Sequence, residues 1–178
     1  MNTDVLYSSI PGWTRSRHPY SWYKSLNIGT RQTAISRIER GLFSILQVCG
    51  SNAFNPSTMI WIAHALEALF DTQSGSVGNN LRSRICNVLN VPKDKRKMVE
   101  KKITQFYDLR SQFVHGRMEI PHPSANEILD QSVYKIHDDL LDMSDFAFSL
   151  ILATIQEHVR NNWREVKFTE TFNGINIQ

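Results

Sequence analysis

Cysteine is scarce: Cys49 and Cys86 are the only two in 178 residues, and they have neither a short-range pairing nor the spacing of zinc ligands. A disulfide-built scaffold and a cysteine-ligated zinc module are thereby excluded. Both thiols fall in amphipathic helical stretches and are expected to be free, buried and kept reduced. Also missing is any uncharged apolar run approaching the roughly 18 residues that mark a membrane-spanning helix. The opening stretch, Met1-Asn-Thr-Asp-Val-Leu-Tyr-Ser-Ser-Ile10, carries neither the basic nor the apolar segment of a secretion signal. The expectation is a soluble, cytoplasmic protein with no membrane partner. A large charge excess is lacking as well: 20 basic against 17 acidic side chains leave a net +3, compatible with an anionic partner but too small for a dedicated nucleic-acid coat. No internal repeat and no low-complexity segment occurs, which sets aside solenoids and disordered arrays.

Hydrophobic residues make up 41% of the chain, enough for one core and one domain at this length. Residues 1–29 combine Pro11, Gly12, Pro19 and Gly29 with Trp13, Tyr20, Trp22 and Tyr23, which reads as an irregular, aromatic-rich N-terminal arm. Its rings either cover the flank of a core or stack on RNA bases. Residues 30–161 read as a helical domain and 162–178 as a C-terminal tail. Within the domain, Ala34, Ile35, Ile38, Leu42, Ile45, Leu46 and Cys49 keep the helical period from Thr30 to a stop at Gly50. Asn55-Pro56-Ser57 has the character of a cap opening a second helix through Met59, Ile62, Leu66 and Phe70. A short third helix bears Arg82 and Arg84. From about Ala125 to Asn161 neither glycine nor proline occurs, and Leu129, Val133, Ile136, Leu140, Met143, Ala147, Leu150 and Thr154 predict one long helix, or two joined by a kink. The tail, with Phe168-Thr-Glu-Thr-Phe-Asn-Gly-Ile175, reads as extended, with room for one short strand.

The most informative stretch is Phe106-Tyr-Asp-Leu-Arg-Ser-Gln-Phe-Val-His-Gly116. Val99, Ile103, Phe106, Tyr107, Phe113 and Val114 predict a helix with one buried face, and Arg110 falls on that face. A guanidinium there must pair inside the fold or emerge at a seam. Glu67, on the border of the second helix, is a candidate to reach it. His115 occupies the last turn, whose partial negative charge favours a cationic ring, and Gly116 is the residue type that closes helices in the left-handed conformation. Upstream, Lys93, Lys95, Arg96, Lys97, Lys101 and Lys102 crowd the helix start, where the dipole disfavours them; they serve phosphate binding or form a solvated face. Asp138, Asp139, Asp142 and Asp145 on the long helix read as a solvated face or as a dock for those lysines. His64, Glu67 and Asp71 share a helix border, a minor candidate for a metal site.

The run Ile60-Trp-Ile-Ala-His-Ala-Leu-Glu-Ala-Leu-Phe70, followed about forty residues on by Tyr107-Asp-Leu-Arg-Ser-Gln-Phe-Val-His-Gly116, resembles the Apea-like branch of the HEPN superfamily over roughly residues 30–160. The resemblance rests on Leu66-Glu-Ala-Leu-Phe70 together with Ser111, Val114 and Gly116 around the Arg-x4-His spacing. It implies an all-α bundle of about five helices, usually a homodimer, whose active members are metal-independent endoribonucleases with the Arg and His of two protomers lining a shared cleft. Carried over, Arg110 and His115 are the catalytic pair, with Ser111 beside them; Glu67 is taken as supporting from its place on the helix border, and Lys97, Lys101, Lys102 and Arg117 as binding RNA from their charge. No metal and no cofactor is implied. The expected partners are RNA, tRNA among the candidates, a second copy of the chain, and an antitoxin or other regulatory protein. The activity would be that of an RNA-cleaving defence effector or toxin; the alternative is a non-catalytic module for dimerisation and for RNA or nucleotide binding. Many catalytic relatives have Asn, Asp or His directly after the arginine. Ser111 can donate or accept a hydrogen bond there but does not shuttle protons readily near neutral pH.

Overall fold

Short polar side chains decide where two of the helices begin. Ser36 accepts from the Glu39 N–H at 3.3 Å while the Glu39 carboxylate accepts from the Ser36 and Ile35 N–H groups, each at 2.8 Å. This reciprocal box satisfies otherwise orphaned donors, and it starts the helix at Arg37 rather than at Thr30. Asp130 does the same for the long helix, accepting from the Ser132 N–H at 2.9 Å and its hydroxyl at 2.6 Å, bonds that hold its carboxyl below the usual range. That helix therefore begins at Gln131 and not near Ala125, which leaves Leu129 84% exposed instead of in the seam.

The computed structural model describes residues 19–28, 32–50, 55–72, 77–122, 124–126 and 128–169. Among these the chain is all-α, with six helices: α1 Pro19–Ser25, α2 Arg37–Cys49, α3 Ser57–Phe70, α4 Val77–Val88, α5 Lys93–Val114 and α6 Gln131–Asn161. No described residue belongs to a strand, and no helix among them is long and apolar enough to cross a membrane. The helix α3 is the hub and packs against α2, α4, α5 and α6. Its sequence explains this: Met59, Ile62, Ala63, Ala65, Leu66, Leu69 and Phe70 are all buried, so it is apolar on more than one side. The contact with α2 is close because Gly41 carries no side chain; a Cβ there would lie 2.9 Å from Cγ and Cδ2 of Leu69.

Three of the helices, α3, α4 and α6, stop by one device. Asp71, Asn90 and Asn162 adopt positive φ angles of 52°, 50° and 55°. The next N–H then reaches back five residues to a helix carbonyl: Thr72 to Glu67, Val91 to Cys86 and Trp163 to His158. Aspartate and asparagine tolerate this conformation better than other residues with a side chain.

Part of the stretch read as irregular is helical: α1 starts with Pro19 in the first turn, where its missing N–H costs nothing. Trp22 is buried, in keeping with a ring that covers the core, whereas Tyr20 and Tyr23 are exposed. Trp13 and the turn residues Pro11, Gly12 and Gly29 lie outside the described residues, as do residues 170–178 of the tail. Residues 163–169 take no regular structure but are well anchored. Phe168 packs on Phe70 with ring centroids 6.3 Å apart. Arg84 covers the Phe168 ring at 4.6 Å while donating to the Phe70 and Asp71 carbonyls at the end of α3, and Arg37 bridges Asp71 at 2.8 Å and Glu165 at 3.3 Å. Of the two thiols, Cys86 is buried and pushed up by that burial. Cys49 is exposed, contrary to expectation, because it closes α2 at its open end.

His158 is 1% exposed, with Trp22 and Trp163 edge-on at 6.5 and 6.1 Å. Its Nδ1–H donates to the Trp163 carbonyl at 3.3 Å, and Nε2 has no partner. Burial lowers its pKa, against smaller opposing effects of that carbonyl and of Glu165. At mildly acidic pH the native state thus binds fewer protons than the unfolded chain, and stability falls as pH drops below about 6.5 until it passes the native-state value. The urea midpoint followed by tryptophan fluorescence should be lower at about pH 5 than at about pH 7.5, and His158→Gln should blunt the difference even if its own midpoint is lower.

Candidate functional site at the end of α5

Val99, Ile103 and Phe106 anchor α5 in the core, and the next turn carries Tyr107 and Arg110 half-buried at its edge. Two buried polar atoms there have no hydrogen-bond partner, the Tyr107 hydroxyl and Arg110 Nε. Burial first, and then the Glu67 carboxylate from α3, raise the Tyr107 phenol above its usual range, while the Arg110 guanidinium partly offsets them. Glu67, Tyr107 and Arg110 thus form one polar cluster at the α3–α5 seam. Glu67 and Arg110 make no ion pair with each other; both act on the Tyr107 phenol, in opposite directions. Sequence reasoning placed Glu67 and Arg110 near one another but missed Tyr107. The available signal was its position three residues before Arg110, on the same helical face.

The helix stays regular to its last residue. The His115 N–H donates to the Ser111 carbonyl at 3.0 Å. Gly116 then turns to φ +65°, so that its N–H bonds to the Phe113 carbonyl at 3.1 Å and the Arg117 N–H to that of Gln112 at 2.8 Å. This is the paired closure of a Schellman end. A Cβ built on Gly116 would meet nothing within 4 Å, so the backbone angle and not crowding calls for glycine. His115 is exposed and Ser111 half-buried. Five residues of unbroken helix separate Arg110 and His115 by about 140° around the axis. Within one chain, the two residues therefore leave the helix on different sides.

Lys97, Lys101 and Arg117 are exposed, while Lys102 is half-buried with its ammonium 5.2 Å from the Phe146 ring centre. Among the described residues none of these four takes part in an ion pair. The aspartates of α6 do not dock onto them: Asp138, Asp139, Asp142 and Asp145 are exposed, a solvated face. The three side chains on the α3 border have separate engagements. Nδ1 of His64 lies 2.7 Å from the Ser44 hydroxyl, Asp71 pairs with Arg37, and Glu67 faces Tyr107. Among the described residues no three His, Cys, Asp or Glu side chains are grouped to hold a metal.

Just beyond Gly116 the chain forms one wall of a cleft of about 570 Å³, closed by the start of α3 and the first turns of α6. Sequence reasoning did not find it, since its walls come from residues 55–56, 118–122, 125, 136–137 and 140 and meet only in the tertiary fold. No protein-family model, curated protein or solved structure matches this chain.

Proposed function

We propose that the chain is a metal-independent endoribonuclease of HEPN type, an RNA-cleaving defence effector or toxin whose Arg110 and His115 work in a site shared between two copies. One observation carries the reading most: the pair ends a continuous helix whose regularity turns the two side chains apart, while His115 remains open to solvent. A single copy does not bring both to one phosphate, whereas a two-fold partner supplies the missing side.

The chemistry follows from what each group can do. One imidazole takes the proton of the 2′-hydroxyl, the freed oxygen bonds to phosphorus, and the bond from phosphorus to the 5′-oxygen breaks. The imidazole of the second copy protonates that leaving oxygen. The two guanidinium groups balance the extra charge on the phosphorane, with Ser111 as a hydrogen-bonding neighbour. The products are a 2′,3′-cyclic phosphate and a 5′-hydroxyl. Lys97, Lys101 and Arg117 offer exposed positive charge to the flanking phosphates, and Lys102 contributes from beside Phe146.

The burial of Arg110 Nε beside Tyr107 and Glu67 favours a second reading, in which the arginine ties α5 to α3 in a non-catalytic dimerisation and RNA- or nucleotide-binding module. Incubating the purified protein with tRNA and with a mixed RNA pool in EDTA separates the two. The nuclease reading expects cleavage with cyclic-phosphate ends. RNA left intact, with Arg110→Ala lowering the thermal midpoint, would favour the second.

A further inference from the structure

The cleft beyond Gly116 is tied to the proposed site. Both the Arg117 and Met118 N–H groups donate to the Gln112 carbonyl, at 2.8 and 3.2 Å, so the wall that starts at Met118 is fixed to the last turn that carries His115. At about 570 Å³ the cleft falls within the roughly 300–1,000 Å³ of small-ligand sites. Met118, Pro121 and Ile136 give it apolar surface on which a flat ring can lie. Two of its polar groups, His122 and Asn55, are oriented by bonds already made. The Ser124 N–H donates to Nδ1 of His122 at 3.1 Å; a backbone N–H can only donate, so the neutral ring holds its hydrogen on Nε2 and presents a donor. Asn55 spends its Oδ1 on the Ser57 N–H at 3.0 Å, which leaves its amide hydrogens as donors. Glu119 adds a carboxylate acceptor to the same lining.

We propose that this cleft receives one unstacked nucleobase of single-stranded RNA and favours guanine and uracil. These two bases carry a ring carbonyl beside a ring N–H, matching donors from His122 and Asn55 and an acceptor from Glu119. Adenine and cytosine present an unprotonated ring nitrogen beside an amino group, and they leave the carboxylate facing a lone pair. The inference shares with the proposed function the assumption that RNA is the ligand, but it does not need cleavage.

Fluorescence anisotropy tests it with short 2′-O-methyl oligonucleotides, which lack the attacking hydroxyl, each bearing one base in an otherwise abasic backbone. Guanine and uracil are expected to bind about tenfold more tightly than adenine and cytosine. His122→Ala and Glu119→Gln should each bring that ratio within about threefold without moving the thermal midpoint, since both side chains are exposed. His115→Ala should leave the ratio intact. Equal binding of all four bases, a preference for adenine or cytosine, or a ratio that survives both variants overturns the inference. Wild-type protein that discriminates in this way yet leaves RNA uncut refutes the nuclease reading and supports this one.

Discussion

At constant total protein, an equal mixture of wild type and His115→Ala is expected to cleave RNA at about one quarter of the wild-type rate once the protomers have exchanged, not at one half. The difference comes from how the proton transfers are divided. If one imidazole removes the 2′-hydroxyl proton while its twin protonates the leaving oxygen, a dimer with a single histidine lacks either the base or the acid, and only wild-type pairs turn over. A value of one half would mean that each copy works alone. The His115→Ala homodimer itself should lose about 10²–10⁴-fold in rate, the range attached to positioned acid–base groups. Because His115 is exposed, its removal should change stability by no more than about 0.5 kcal/mol, so that unfolding does not account for the loss. Arg110→Lys keeps a positive charge but loses the planar fork, and a large loss there too would indicate that phosphate is gripped bidentately rather than merely attracted.

Phe106→Ala should have the largest effect on stability. Phe106 is fully buried in the middle of α5, one turn before Arg110, and meets Tyr107 edge to face at 5.4 Å. Emptying such a position costs about 3–5 kcal/mol, because the transferred area is lost and the surroundings close the cavity only in part. Against a total of about 5–15 kcal/mol for a domain, a large part of the fold's margin disappears. Urea unfolding followed by circular dichroism reads this as a lower midpoint. Phe106→Leu, which retains most of the volume, should lose much less. A small shift in the alanine variant would show that α5 is not held by this ring, and the rigid placement of Arg110 would then need another cause.

Much of the fold was legible because helical periodicity and burial agree. Val99, Ile103 and Phe106 were expected to face inward and do so, and Gly116 was expected to close α5 and does so with positive φ. Helix starts were harder to read. Ala34 and Ile35 keep the apolar period, yet the Ser36–Glu39 box starts the helix only after them, since a reciprocal pair of hydrogen bonds outweighs a marginal apolar contact. Leu129 failed for the same reason at Asp130. The short α1 was missed because proline and glycine around it look like turns, and a seven-residue helix depends on what its one tryptophan touches. At the candidate site, spacing alone put Arg110 and His115 on a helix end and Glu67 nearby. It did not show that Tyr107 completes the cluster, which joins α3 to α5, or that a cleft opens beyond Gly116, whose walls come from segments far apart in the sequence.

The first helix and the segment after α6 are fastened to each other as well as to the bundle. Trp22 Nε1 donates to the Trp163 carbonyl at 2.9 Å, and Arg164 donates to the Leu26 carbonyl at 3.4 Å. These two distant stretches of chain therefore behave as a single clasp. Protease nicking after Asn162 should loosen residues 19–28 along with the segment that was cut, and a binding protein that peels away one strand of the clasp gains leverage over the other.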